Sequence, residues 1–440
     1  MKEGAEIRSV LPARPIEKLV GPIERFLHVQ SASGLVLMAC TVVALVLANS
    51  RFAPAVQAFW DQRLVVSVGS IGLDYPLWYW VNDGLMTLFF FVIGLEIKRE
   101  MVAGELSEAK NLVLPVAAAI GGALVPVLVF LLFLRGGPGA RAWAVPMATD
   151  IAFVVGCLSL LGDRVPRGLK VFVLSLAIVD DILAVLVIAA FYSSGLKLLA
   201  LVGAGVGLGV VVALNRLGVR AISVYVFVGA ISWLFMLKSG IHPTVAGVAL
   251  GLLTPASAWT PDGSLQRVLS AAADAVEAES DAARKQTLQT ARFAVREAVS
   301  PLDRLEAGLH GWVAFLIMPV FALANAGVAF RAETLASPLA LAVAAGLVLG
   351  KPIGIVAGTL LVVKAGWSSL PEGTSARALV AAGALAGIGF TMSLFVASLG
   401  LEGQLLQEVK GGVLVGSAVS MAVGLGLLYL FLPKAPASSA

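Results

Sequence analysis

Charge is what this chain has least of. Only 13% of its 440 residues are Asp, Glu, Lys or Arg, whereas 59% are hydrophobic. No single water-soluble core of ordinary composition can bury so much apolar surface, which excludes the common soluble enzymes and binding modules. Cysteine is nearly absent: Cys40 and Cys157 both fall inside apolar runs, so no disulfide framework is expected. His28, His242 and His310 are the only histidines, and they are too scattered for the spacing of a zinc site. No A-x-A-like cleavage site follows the first apolar run directly, so that run is read as a retained helix rather than a signal peptide.

What the chain does have is apolar length. About 17 to 25 mostly apolar residues cross roughly 30 Å of hydrocarbon as a helix. Candidate spans start near Ser33, Leu77, Asn111, Ala142, Gly168, Leu198, Ala221, Pro243, Trp312, Leu339, Ala376 and Gly411, and the one from Pro243 is short. Backbone groups must be satisfied internally in lipid, so the expected fold class is all-α polytopic membrane protein with about twelve transmembrane helices.

The expected order along the chain is a cytoplasmic N-terminal segment (1–32), helices 1–8 (33–253), a cytoplasmic loop (254–310), helices 9–12 (311–432) and a cytoplasmic tail (433–440). With the N-terminus inside, inner segments carry 22 Lys and Arg and outer ones 8, which places both termini in the cytoplasm. That inner surplus accounts for the pI near 9.1, so nucleic acid is not an expected partner. Arg63 to Leu77 has β-branched residues on either side of a Gly-Ser-Ile-Gly turn and predicts a small outer hairpin whose edge could pair with another protomer. The inner loop is Ala-rich with mixed charge, as in a surface helix or insert.

Charged groups in a bilayer core are expensive and by default face a cavity or each other. The fourth span holds Asp150, the fifth holds Asp180 and Asp181 in LAIVDDILAV, the tenth holds Lys351, and Asp83 lies near the outer end of the second. Neighbouring helix positions point about 100° apart, so Asp180 and Asp181 cannot serve one point. One can face an ion path while the other faces a partner, and Lys351 lies at matching depth in its own run, where an ion pair would offset part of the desolvation cost. Asp83 is read as a staple between helices.

Two spans also carry weak points. Pro146 precedes Thr149 and Asp150 in the fourth, and Gly387 and Gly389 precede Thr391 in the eleventh. Paired interrupted helices point to a transporter site, where unwound carbonyls and helix ends supply partial charges. Three acids against one base leave two carboxylates for protons or a metal cation. Sodium and protons compete for the same oxygens, and exchange follows if the site opens alternately to either side.

ATDIAF, AIVDD, LGKPIGI, GIGFTMS, WVNDGLM and GLEIKRE together resemble the NhaA family of sodium/proton antiporters, from about Gly34 to Leu430. The resemblance implies twelve helices with inverted-topology repeats, a recognised property of that family rather than a deduction from spacing. It implies two interrupted helices crossing at mid-membrane, a bacterial inner-membrane location and, commonly, a dimer through the outer hairpin.

It further implies that Asp181 and Asp150 bind the transported sodium and the protons, that Thr149 lies at the unwound crossing, and that Asp180 pairs with Lys351, itself a possible proton carrier. Sodium, lithium and protons are then substrates, with no cofactor, in an electrogenic and pH-regulated exchange. Glu96, Arg99, Glu100 and Glu306 match the family's charged cluster associated with pH response, and His242 matches a motif at the start of the eighth span. Asp303 stands where the family favours a basic residue, and the loop before it is longer than usual.

Two other function classes fit less well. An intramembrane aspartyl protease would need a GxGD signature, which LLGDR around Asp163 does not supply. A passive cation channel is disfavoured by mid-span Lys351 and by the interrupted helices. A proton-coupled carrier for another cation, such as potassium, is the nearest alternative, because residue types alone do not fix cation choice.

Overall fold

The computed structural model describes residues 30–432 apart from 69–70, 105–106, 135, 194, 261 and 277–280. The expected N-terminal segment up to residue 29, the tail 433–440 and the Gly69-Ser70 tip of the hairpin lie outside the described residues.

The chain begins with α1 (Gln30–Ala48) and α2 (Ala53–Trp60), which meet at 115°. Strands β1 (Arg63–Val68) and β2 (Ile71–Pro76) then pair antiparallel, in register from Arg63 opposite Pro76 to Val68 opposite Ile71. The predicted hairpin is therefore present. It is tied by the Arg63 Nε to Asp74 Oδ1 bond of 2.7 Å and by Trp80, whose indole N–H donates to the Leu64 carbonyl.

The expected spans follow as α3 (Leu77–Ala103), α4 (Lys110–Phe133), a 3-10 helix (Pro138–Met147) leading into α5 (Ile151–Leu160), α6 (Arg167–Phe191), α7 (Leu198–Arg216), α8 (Ile222–Ser239) and α9 (Thr244–Leu253). After α10 (Asp262–Val276) and α11 (Asp281–Glu297) come α12 (Pro301–Asn325), α13 (Pro338–Lys364), α14 (Ala376–Ala386), α15 (Phe390–Gly400) and α16 (Gly403–Phe431). Among the described residues nine helices are long and apolar enough to cross a membrane, and eleven if each of two bent pairs counts as one. The fold is an all-α polytopic membrane fold.

The short eighth span differs from a full crossing. Gly240, at φ 87°, ends α8 in the left-handed conformation, and α9 is a helix of 10 residues. At 1.5 Å per residue it covers about 15 Å, half the hydrocarbon thickness. It compensates by packing closely on α3. A Cβ on Gly94 would lie 2.6 Å from the Val248 carbonyl oxygen, and one on Gly251 would lie 2.5 Å from that of Phe91. Small residues let helix backbones approach where lipid offers no hydrophobic drive.

The same device joins α4 to α13. A Cβ on Gly354 would lie 2.6 Å from the Gly121 carbonyl carbon, and one on Gly358 would lie 2.9 Å from that of Ala117. Both α12 and α13 contain a π turn, at Val313–Ile317 and Gly346–Gly350, and each is followed by an X-Pro pair, Met318-Pro319 and Lys351-Pro352. Proline has no N–H to give the preceding turn, and the wider turn accommodates that loss.

The long loop after α9 folds into α10 and α11, which pack together and bury Ala272, Ala291 and Ala294. Its root is fixed where the Trp259 N–H donates to the Glu297 carbonyl at 2.9 Å and the Arg220 guanidinium sits 5.2 Å over the Trp259 ring.

Candidate functional site

The two weak points come together. The 3-10 helix ends at Met147, Ala148 turns extended, and α5 restarts at Ile151 with Asp150 as its N-cap. Opposite, α14 ends at Ala386 and α15 begins at Phe390, with a bend of 44° across Gly387, Ile388 and Gly389. Each break leaves backbone groups without helical partners, and each supplies those of the other. The Asp150 N–H donates to the Ile388 carbonyl at 2.7 Å and the Thr149 hydroxyl to the Ala386 carbonyl at 3.0 Å. In return Ser393 donates to the Val145 carbonyl at 2.8 Å, and Thr391 donates to Asp150 Oδ2 from its N–H at 3.0 Å and from its hydroxyl. Asp150 Oδ1 accepts the Phe153 N–H at 3.2 Å. Gly387 and Gly389 are required here, since a Cβ on Gly387 would lie 2.5 Å from the Leu347 carbonyl oxygen.

Beside the crossing, α6 and α13 bring a buried ion pair. Lys351 Nζ lies 2.6 Å from Asp180 Oδ2, and both side chains are 1% exposed. Nζ also donates to the Met147 carbonyl, the last of the 3-10 helix, so the lysine bridges three spans. Among the described residues Asp180 Oδ1 has no hydrogen-bond partner, although Thr149 lies beside the carboxylate.

Asp181, 3% exposed, makes no hydrogen bond among the described residues. It lies within electrostatic reach of Asp180, Glu96, Asp150 and Lys351. Among the described residues no group of three or more His, Cys, Asp or Glu side chains is gathered to hold a metal ion.

Residues 24–428 match the family model described as "Na+/H+ antiporter 1". The chain belongs to that family. A Na(+)/H(+) antiporter NhaA of Rhodopirellula baltica is 48% identical over 432 residues, covering 98% of both chains. One from Rhizobium meliloti is 46% identical over 425 residues, covering 96% of this chain and 97% of its own. An antiporter NhaA 2 of Sorangium cellulosum is 48% identical over 438 residues, covering 97% and 94%. The resemblance read from six motifs is thus a family membership extending over nearly the whole chain.

The charged cluster suggested by the family motifs is also assembled. Arg99 of α3 pairs with Glu306 of α12 through Nη1 and lies 3.6 Å from Glu100. Glu96, one turn further into α3, feels Glu306, Arg99 and Glu100. At the other end of α3, His242 Nε2 lies 3.4 Å from Asp83 Oδ1 and Nδ1 lies 2.7 Å from the Thr244 hydroxyl, while the imidazole ring meets Phe395 of α15 edge-on at 5.5 Å. Asp83 thus joins α3 to the start of α9, as a staple does.

Several contacts were invisible in the sequence. Ser393 and Ser417, which hold Val145 and Phe390, are hydroxyls in apolar runs, and nothing in one sequence separates them from serines that bond their own helix. Buried Asn325 donates to Asn82 Oδ1 at 2.7 Å, joining α12 to the π turn of α3. Their only signal was an amide in an otherwise apolar segment.

Proposed function

We propose that this chain is a secondary active transporter exchanging sodium or lithium for protons, by alternating access at Asp181 and Asp150. The observation that carries this reading is Asp181: a buried carboxylate free of hydrogen bonds, beside a neighbour already paired with Lys351. An unpaired ionised carboxylate is expensive in such a place, so it stays only with a proton or with a hard cation. The two cannot share the same oxygens, and their competition is the exchange.

Asp150 is the second carboxylate in this reading, and Thr149 supplies oxygen at the break. The partial charges of the helix ends meeting there favour a cation that has shed part of its water. Lys351 is the further proton carrier in this reading, so that more than one proton crosses per cation and the exchange is electrogenic. Glu96, Arg99, Glu100, Glu306 and His242 set its response to pH. Sodium, lithium and protons are cargo, and the chemistry calls for no cofactor.

The protein would lie in a bacterial inner membrane with both termini and the 254–310 loop in the cytoplasm. Outward leucines such as Leu132 and Leu199 meet lipid, and a second copy pairs through the hairpin edge, where Leu64, Val65 and Val66 are exposed.

Proton movement in inverted vesicles, followed with a pH-sensitive dye after adding sodium, lithium or potassium chloride, tests this. The expected result is a sodium- and lithium-driven signal that Asp181→Asn abolishes. A parent active with potassium alone would transfer the reading to a potassium carrier. An unimpaired Asp181→Asn would remove the site assignment.

A further inference from the structure

Among the described residues one buried hydroxyl beside the crossing lacks a partner, and a carbonyl close to it has lost its regular helical donor. Ser420 of α16 is 2% exposed, and its Oγ makes no hydrogen bond. The Lys351 N–H reaches past Leu347 to the Gly346 carbonyl across the π turn. Pro352, the residue that would serve Leu347 in the same i+5 pattern, has no N–H. The hydroxyl and the carbonyl face one spot, because a Cβ on Gly387 would lie 2.6 Å from Ser420 Oγ and 2.5 Å from the Leu347 oxygen. The two oxygens therefore lie no more than about 5 Å apart, on either side of the open Cα–H face of Gly387.

One turn away, the same helix already holds the break: Ser417 Oγ accepts the Phe390 N–H at 3.1 Å. Residues three apart share a helix face, so α16 presents two hydroxyls to α15 and the Gly387 break, one engaged and one idle. A buried donor left idle costs free energy in the state that leaves it idle, so a state that uses it is favoured relative to this one.

We propose that Ser420 is a positioning residue of the exchange: when the Gly387 break withdraws, its hydroxyl donates to the Leu347 carbonyl. That bond stabilises the second access state and ties α16 to the turn that carries Lys351. In the state described, the pair flanks Gly387 without a bond between them and Ser417 holds α15. The inference rests on the alternating-access reading of the site.

Ser420→Ala and Ser420→Thr test it in three measurements. In inverted vesicles Ser420→Ala should lower the maximal sodium-driven rate about 3- to 10-fold, the factor one ordinary hydrogen bond supplies, with the sodium KM within about twofold of the parent. Ser420→Thr, which keeps the hydroxyl, should restore the rate to within about twofold of the parent. Purified Ser420→Ala should melt at or above the parent temperature, because it removes an unpaired group from the described state. A static packing role would lower melting and expression instead.

A parent-like rate for Ser420→Ala, a raised KM at unchanged rate, a lowered melting temperature, or a threonine as impaired as the alanine would each overturn the proposal. Hydrogen–deuterium exchange at residues 345–352 of purified protein, followed from acid to alkaline pH, should vary less in Ser420→Ala than in the parent, and equal variation would also overturn it. This last measurement does not depend on transport. If Asp181→Asn stayed active, the functional reading would fall while exchange at the turn still decided the role of Ser420.

Discussion

Thr391 and Asp150, 241 positions apart in the chain, are joined twice at a single oxygen: the threonine N–H and hydroxyl both donate to Asp150 Oδ2. The N–H survives any substitution except proline, whereas the hydroxyl does not. Thr391→Val should therefore keep the fold and weaken apparent sodium affinity by about 10- to 150-fold, while Thr391→Ser stays near the parent, because hydrogen bonds to charged groups contribute roughly 1.5–3 kcal/mol net. Titration of the vesicle signal with sodium checks this, and equal affinities for the two variants would refute it.

Lys351 and Asp180 form a pair with almost no access to water. Removing one partner strands a buried charge, at a cost of about 3–5 kcal/mol, but removing both strands none. Lys351→Met and Asp180→Leu should each depress the melting temperature of the purified protein, and the double variant should melt above the sum of the two losses. Strictly additive losses would show that the pair does not behave as a unit.

Arg99 and Glu306 tie α3 to α12. As an ion pair at the rim of two spans, it predicts that Arg99→Ala and Glu306→Gln displace the pH profile of exchange in the same direction. Reversing the pair, with Arg99→Glu and Glu306→Arg together, should bring the profile back toward the parent. Opposite displacements by the two single variants would separate the residues functionally.

Among the described residues the hairpin from Arg63 to Pro76 meets the start of α3 and, across a small cavity, Trp233 and Leu237 of α8, and the hydrogen bonds of the crossing do not involve it. Deleting it should leave sodium-driven exchange per protomer within about twofold, because no residue of the site is touched, while shifting the protein from dimer to monomer in native mass spectrometry. A dimer that survives the deletion would place the contact on another surface.

Much of this was legible in the sequence because membranes restrict the options. Apolar runs mark helices, and four charges in hydrocarbon mark their own importance, so Asp150, Asp180, Asp181 and Lys351 were distinguishable before any coordinate was known. The depth match offered Lys351 a partner in one of the two aspartates, the family resemblance named Asp180, and Pro146, Gly387 and Gly389 marked the two breaks.

Less legible was anything made by backbone or hydroxyl groups. The start of α12 at Pro301 is hidden by Asp303, Arg304 and Glu306, which interrupt the apolar pattern although the helix runs through them. That α9 stops at 10 residues follows from how tightly Gly94 and Gly251 let it sit on α3, a tertiary fact. Ser393, Ser417 and Ser420 carry no charge to draw attention, yet two of them hold the crossing.

The crossing also bears on how this protein can be altered. Residues 145–150 and 386–393 satisfy one another rather than themselves, so neither segment is a complete structure alone. They form one joint written in two places, and a change in the eleventh span is a change in the fourth. Exchanging either stretch with that of a relative requires moving both.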